Sequence, residues 1–292
     1  MCLIAIALGV SERFPLVIAG NRDESLTRPT LPLDWWRSPR GTAILGGRDV
    51  EGGGTWMGIT PGGRFAMLTN VRNPSASLPA EPKSRGSLVV DWLDSALDAK
   101  AWGSRYDARR FNGFNLIAGN WAQQQCDYLS HPLFFKRNEA LAGMNTALNA
   151  IELVVDTMPV GQMYGLSNAA LNTPWPKTLR LKSALQSALH APDANLLTQA
   201  LIEDLQHAEP AADDVLPHTG VPHDLELALS SAYVSHPPDA PRYGTRTSWV
   251  AVLEHNADAP AQLMLTEITH AHRGQSPIAA PLRQQSLSWP KN

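Results

Sequence analysis

The chain opens with two uninterrupted apolar runs, residues 3–8 (LIAIAL) and 16–19 (LVIA), separated by a short polar turn. Branched residues without polar alternation are the pattern of strands buried on both faces, and so short a turn joins them as an antiparallel hairpin. With the turn centred on Glu12, paired residue numbers sum to 24, which sets Cys2 opposite Arg22 at about 5 Å between Cα atoms. A slip of one residue would turn Arg22 to the other face. The hairpin thus draws the start of the chain against the tetrapeptide Asn21-Arg22-Asp23-Glu24.

The run CLIAIALGV has the apolar content of a signal-peptide core, but it lacks a basic flank and a small-residue cleavage site, so it reads as a strand. No stretch approaches the roughly 20 apolar residues that cross a bilayer, and no stable membrane insertion is expected. A formal net charge of -3, with both signs mixed along the chain, gives no basic face for nucleic acid or anionic lipid. Two cysteines, Cys2 and Cys126, are too few for a disulfide framework, which points to a reducing compartment and, by expectation, the cytoplasm.

Further strands are expected at residues 43–46, 54–60, 65–71, 114–119, 126–130, 161–168, 249–255 and 262–268. Helical spacing is clearest after Ser84-Arg85-Gly86-Ser87, where Val89, Trp92, Leu93 and Ala96 share a face. A second helix opens at Lys177 or Thr178 with Leu181, Leu185 and Leu189, and a third is capped by Asp193 and carries Leu197, Ala200, Leu201 and Leu205. Strands, helix, strands, two helices and strands in that order argue against βαβ units. The expectation is an α+β protein, a four-layer αββα sandwich of two mainly antiparallel sheets covered by helices. Residues 209–223 and 235–246, rich in Pro, Asp and His, read as ordered surface loops. With no repeat and no linker, residues 1–292 form a single domain in this reading.

Loss of Met1, which a small residue at position 2 permits, would give Cys2 a thiol and a free α-amine together. The amine titrates near pH 7.7 to 8.0 and a thiol near 8.5, so modest tuning makes the amine a proton acceptor for sulfur. Beside them, Arg22 would lower the thiol pKa or hold a substrate carboxylate, and Asp23 would orient the ammonium. The plainer readings are a cysteine packed as a small hydrophobe and an Arg-Asp turn closing a strand.

The blocks MCLI, AGNRDE at 19–24, GGRD and GGTWMGI within 46–59, LTN at 68–70, SRG at 84–86, GLSN at 165–168, TPWPK at 173–177 and YGTR at 243–246 run in order along most of the chain. Together they resemble the NRDE family that includes the transport-and-Golgi-organisation 2 proteins. That family is distantly similar to the choloylglycine hydrolase and penicillin V acylase branch of the N-terminal-nucleophile (Ntn) hydrolases, and so implies an Ntn-hydrolase-like fold. The resemblance implies Cys2 as nucleophile with Arg22, Asp23, Asn168 and Arg246 as catalytic partners and Asn70 as an asparagine lining the site; Asn21 and Glu24 of the tetrapeptide and Trp56, as a wall of an aromatic-lined apolar pocket, complete the expected substrate-binding positions. In those hydrolases the Arg and Asp are separated by two residues, whereas Arg22 and Asp23 are adjacent, so a turn or bulge is needed to bring both to one site.

Gly52-Gly53-Gly54 lacks the Lys-Ser/Thr of a phosphate loop and reads as a tight bend. The nine histidines, His218, His223, His270 and His272 among them, match no zinc spacing and read as solvated, and no metal is expected. No cofactor is required; the absence of Cys-x-x-Cys-His excludes covalent haem but leaves non-covalent haem binding open. Two functions follow. One is a cysteine hydrolase of an amide or thioester of a small acylated metabolite. The other is a non-catalytic protein that binds or traffics a hydrophobic ligand such as haem or acyl-CoA, both ligands implied by the resemblance. The expected partner is a small acyl or hydrophobic molecule, and the sequence sets no oligomeric state.

Overall fold

Uninterrupted branched residues form the opening hairpin, β1 (Cys2–Leu8) and β2 (Leu16–Ser25), with the first strand buried along its whole length. This computed structural model describes residues 2–75, 79–131, 152–235, 242–255, 260–272 and 281–289. The register runs from Cys2 opposite Arg22 to Leu8 opposite Leu16, the pairing that a turn centred on Glu12 requires. The chain divides into two compact units, one of Met1–Asp34, Pro159–Ser167 and Leu171–Asn292, the other of Trp35–Met158 and Asn168–Ala170.

The first unit holds a six-stranded sheet. Beside the hairpin lie β10 (Gln162–Leu166), which pairs with β1, and β11 (Tyr243–Glu254), which pairs with β2. Beyond β11 come β12 (Ala261–Thr269) and β13 (Leu282–Trp289), and every pairing is antiparallel. Alternation sends Leu3, Ala5, Ala7, Val17 and Ala19 to one face, where they meet Leu181, Leu185, Leu197, Leu201 and Leu205 in one apolar core. Those leucines belong to α3 (Pro176–Ala188) and α4 (Ala194–Leu205). Pro176 occupies the first turn of α3, where its missing N–H costs nothing, and the Asp193 carboxylate caps α4 by accepting from the Leu196 N–H at 2.8 Å.

The other sheet has seven strands, β3 (Thr30–Arg37), β4 (Ala43–Asp49), β5 (Met57–Ile59), β6 (Arg64–Asn70), β7 (Phe114–Asn120), β8 (Gln125–Ser130) and β9 (Val154–Thr157), adjacent in that order. The boundary between the units falls inside β3. In the second unit Ala66, Leu116 and Ala118 pack with Leu88, Val89, Trp92 and Leu93 of α1 (Gly86–Leu93) and with Trp102 of α2 (Ala99–Gly103). The fold class is α+β, two mainly antiparallel sheets each packed against helices.

Several expectations change. The bend at Gly52–Gly54 is real, with Gly53 at φ 69°, but the strand after it contracts to three residues. Gly54 lies so close to the Gly86 carbonyl that a Cβ would sit 2.4 Å from its oxygen, and Thr55 N–H bonds the same carbonyl. α1 stops at Leu93, so Ala96 is exposed beyond it, and Ala200 is exposed on α4. Strands β3 and β13 arise from segments without a continuous apolar run, and β9 from the short run Leu153-Val154-Val155. Of the loop at 235–246, residues 236–241 lie outside the described residues, and Tyr243–Arg246 already belong to β11. The loop at 209–223 holds a single-turn 3-10 helix at Asp213–Val215 and ends where the short α5 (His223–Ala228) begins. Among the described residues no helix is long and apolar enough to cross a membrane.

Candidate functional site

Cys2 is the first residue of β1, and its thiol is free and buried. Burial pushes the thiol above its ordinary pKa, and the Asp23 carboxylate adds to that rise; the Arg22 guanidinium and a hydrogen bond from the Asp23 backbone N–H oppose it. Arg22 is buried as well. It donates to Thr30 Oγ1 at 3.1 Å, and its guanidinium lies 3.8 Å from the carboxylate of half-buried Glu24. On β12, buried Glu267 accepts from the Leu33 N–H at 2.8 Å. Desolvation raises its pKa to about 7, against the pull of that hydrogen bond, Arg22 and Arg283. The end of the hairpin is therefore a buried charged cluster built on backbone register.

The irregularity expected near Arg22 and Asp23 lies on the neighbouring strand. β11 pairs Thr247 with Arg22 but Thr245 with Asp23, leaving Arg246 as the extra residue of a β-bulge. Arg22 and Asp23 keep the alternation of a regular strand, so the bulge does not turn their side chains to one face. It instead brings each of the four residues of the YGTR block to bear on the tetrapeptide or its surroundings. Tyr243 Oη donates to the Asp23 carbonyl at 2.9 Å, and Thr245 Oγ1 donates to Asp23 Oδ1 at 2.7 Å. Arg246 Nη1 donates to the carbonyls of Ser25, Leu26 and Arg28 at 3.0, 3.1 and 2.7 Å, which fixes the turn after the tetrapeptide. Gly244 has no room for a Cβ, which would stand 2.8 Å from the His272 ring. Arg246 is thus placed beside Arg22 and Glu24, both of which act on its charge, with its guanidinium committed to backbone.

Asn21 points the other way from Cys2. Its Nδ2 donates to the carbonyls of Leu205, at the end of α4, and of Ala232, both at 2.8 Å. Its Oδ1 accepts from Ser248 Oγ at 2.6 Å. These bonds tie the strand to the helical layer, where Asn21 works as a brace. Because the single Ser248 proton goes to Asn21, His270 Nε2 is the donor to Ser248 Oγ at 2.8 Å. Desolvation, helped by His272, lowers the His270 pKa to about 4, so this ring is neutral. His272 donates through Nε2 to the Thr245 carbonyl at 2.7 Å and stacks on Tyr233, which meets His270 edge-on. The expectation of solvated histidines fails for these two because Tyr233, distant in sequence, covers them. Thr245, Ser248, Tyr233 and Glu267 carry no sequence signal of their own, except that Thr245 lies in the YGTR block.

Trp56, Asn70 and Asn168 belong to the second unit. Trp56 is buried, and its carbonyl accepts from the Leu68 N–H. Asn168 Nδ2 donates to the Asn70 carbonyl at 2.9 Å, and its own carbonyl accepts from Arg72 N–H, so the structure brings these two asparagines together. Cys126 is fully buried 3.7 Å from the Met158 sulfur, its thiol pushed far up by burial, and is an inert core residue. Among the described residues no cluster of His, Cys, Asp or Glu is placed to hold a metal ion.

In structure the chain is distantly similar to the Caenorhabditis elegans ortholog of N-acylethanolamine-hydrolyzing acid amidase, at a TM-score of 0.46 and 13% identity over 86% of this chain and 92% of that one. It is likewise similar to a mutant conjugated bile acid hydrolase from Clostridium perfringens, at 0.44 and 8% over 100% and 97%. In sequence it is 31% identical to the bovine Transport and Golgi organization protein 2 homolog over 262 residues, which cover 87% of this chain and 86% of that protein. The human homolog is 30% identical over the same shares. The family model described as Transport and Golgi organisation 2 matches residues 1–269, and the chain belongs to that family.

Proposed function

We propose that the protein is a cysteine hydrolase of the N-terminal-nucleophile type, acting on an amide or thioester of a small acylated metabolite with Cys2 as nucleophile. The observation that carries this reading is the Cys2–Arg22 pairing, with the Asp23 N–H bonded to the thiol. Since burial holds the thiol above its usual pKa, a thiolate at neutral pH needs a base beside it. The α-amine freed by removal of Met1 is that base in this reading, and Asp23 is the group that orients the ammonium. The amine takes the thiol proton, sulfur attacks the acyl carbonyl, and the ammonium returns the proton to the departing amine or thiol. Water, activated by the same amine, then releases the acid and restores Cys2. Arg22 offsets the negative charge that develops at this buried strand end.

The raised thiol favours the second reading, a non-catalytic protein that binds or traffics a hydrophobic metabolite such as haem or acyl-CoA. The test is hydrolysis of a panel of acyl p-nitroanilides and acyl thioesters of N-acetylcysteamine by wild type and Cys2→Ala. Turnover by wild type and its loss in Cys2→Ala support the hydrolase. Equal rates in both, or no turnover of any member, sink it.

A further inference from the structure

We propose that Thr245 is a positioning residue for Asp23, acting through its hydroxyl, and so sets the reactivity of Cys2; this rests on the reading of Cys2 as the reacting thiol. Thr245 is fully buried. Its hydroxyl accepts from the Val234 N–H at 2.8 Å and stands 2.7 Å from Asp23 Oδ1. A threonine hydroxyl has one proton, and with the Val234 N–H on a lone pair that proton goes to the carboxylate. Such a charge-assisted bond is short and directional, so it fixes where the Asp23 charge sits.

The backbone of Thr245 is held as firmly as its side chain. Its N–H donates to the Val234 carbonyl, and its own carbonyl accepts from His272 Nε2 at 2.7 Å. The bulge at Arg246 gives the alignment: it pairs Thr245 with Asp23 while Thr247 still faces Arg22. Asp23 carries two opposed influences on Cys2, a carboxylate that raises the thiol pKa and an N–H that lowers it. Pinning the carboxylate to Thr245 keeps the first in check, and releasing it leaves the charge free to oppose the thiolate.

The experiment measures alkylation of Cys2 by iodoacetamide at neutral pH, read by peptide mass spectrometry so that Cys126 is scored separately. Thr245→Val keeps the branched shape and loses both the donor to Asp23 and the acceptor of the Val234 N–H; Thr245→Ser keeps both bonds and loses the methyl group. Thr247→Val is the control for the change of side chain, because the Thr247 hydroxyl is buried and, among the described residues, has no hydrogen-bond partner. Thr245→Val is expected to slow Cys2 alkylation by about threefold or more. Thr245→Ser and Thr247→Val stay at the wild-type rate, and Thr245→Val adds nothing in an Asp23→Asn background. A rate in Thr245→Val equal to or above wild type, a loss as large in Thr245→Ser, or an effect that survives Asp23→Asn overturns the proposal. The readout needs no substrate, so failed acyl turnover with the expected alkylation pattern sinks the hydrolase reading alone.

Discussion

Cys2 sits where desolvation and local charge compete, and Arg22 is the residue whose removal shifts the balance most simply. Arg22→Met takes away a positive charge that lowers the thiol pKa, so Cys2 alkylation at neutral pH should fall severalfold. An unchanged rate would mean that the guanidinium is electrically remote from the sulfur. Glu267 gives a prediction about stability. Its carboxyl titrates near 4.5 when unfolded and at about 7 when folded. Between those values the folded chain keeps a proton that the unfolded chain has released, so stability falls as pH rises through the window. Glu267→Gln stays neutral, and its advantage over wild type should grow across that window to about 3 kcal/mol. Urea midpoints at pH values on either side of the window check it; a constant difference would contradict the burial argument.

At the scale of elements, the hairpin was legible because its two apolar runs and one short turn leave a single register that buries both. That register located Cys2 against Arg22. Strand parity also places Asn21 opposite to Cys2, yet its partners, Leu205 and Ala232, lie 184 and 211 residues away and could not be read from the sequence. Asn21→Ala should therefore cost about 2 kcal/mol of stability, by leaving two buried carbonyls unpaired, while the alkylation rate of folded Cys2 holds. A drop in Cys2 reactivity without a loss of stability would return Asn21 to the site. Asp193→Ala removes the cap that the sequence announced for α4 and should cost about 1 kcal/mol. Edge strand β13 stayed hidden for a different reason: its alternating exposed and half-buried residues carry no apolar run. His270 and His272 look solvated in sequence, and the ring of Tyr233 together with Ser248 and the Thr245 carbonyl takes them out of solvent.

Across the whole molecule, both units are discontinuous in sequence, and the chain returns to the first sheet after building all seven strands of the second. The order of elements was enough to give the α+β class and two helix-covered sheets. It could not give the bulge at Arg246, which depends on how the ends of two strands 220 residues apart accommodate Tyr243, Thr245 and Arg246. That bulge joins a late block of the chain to the opening tetrapeptide, and it makes the environment of Cys2 a product of the complete first sheet. The most direct test of Cys2 as an N-terminal nucleophile is the intact mass of the native protein after brief exposure to a butyryl thioester, with the adduct mapped by peptide analysis. The account predicts a chain without Met1 that carries one butyryl group on Cys2. A chain that retains Met1, or one that lacks it and gains no adduct at Cys2, would contradict it.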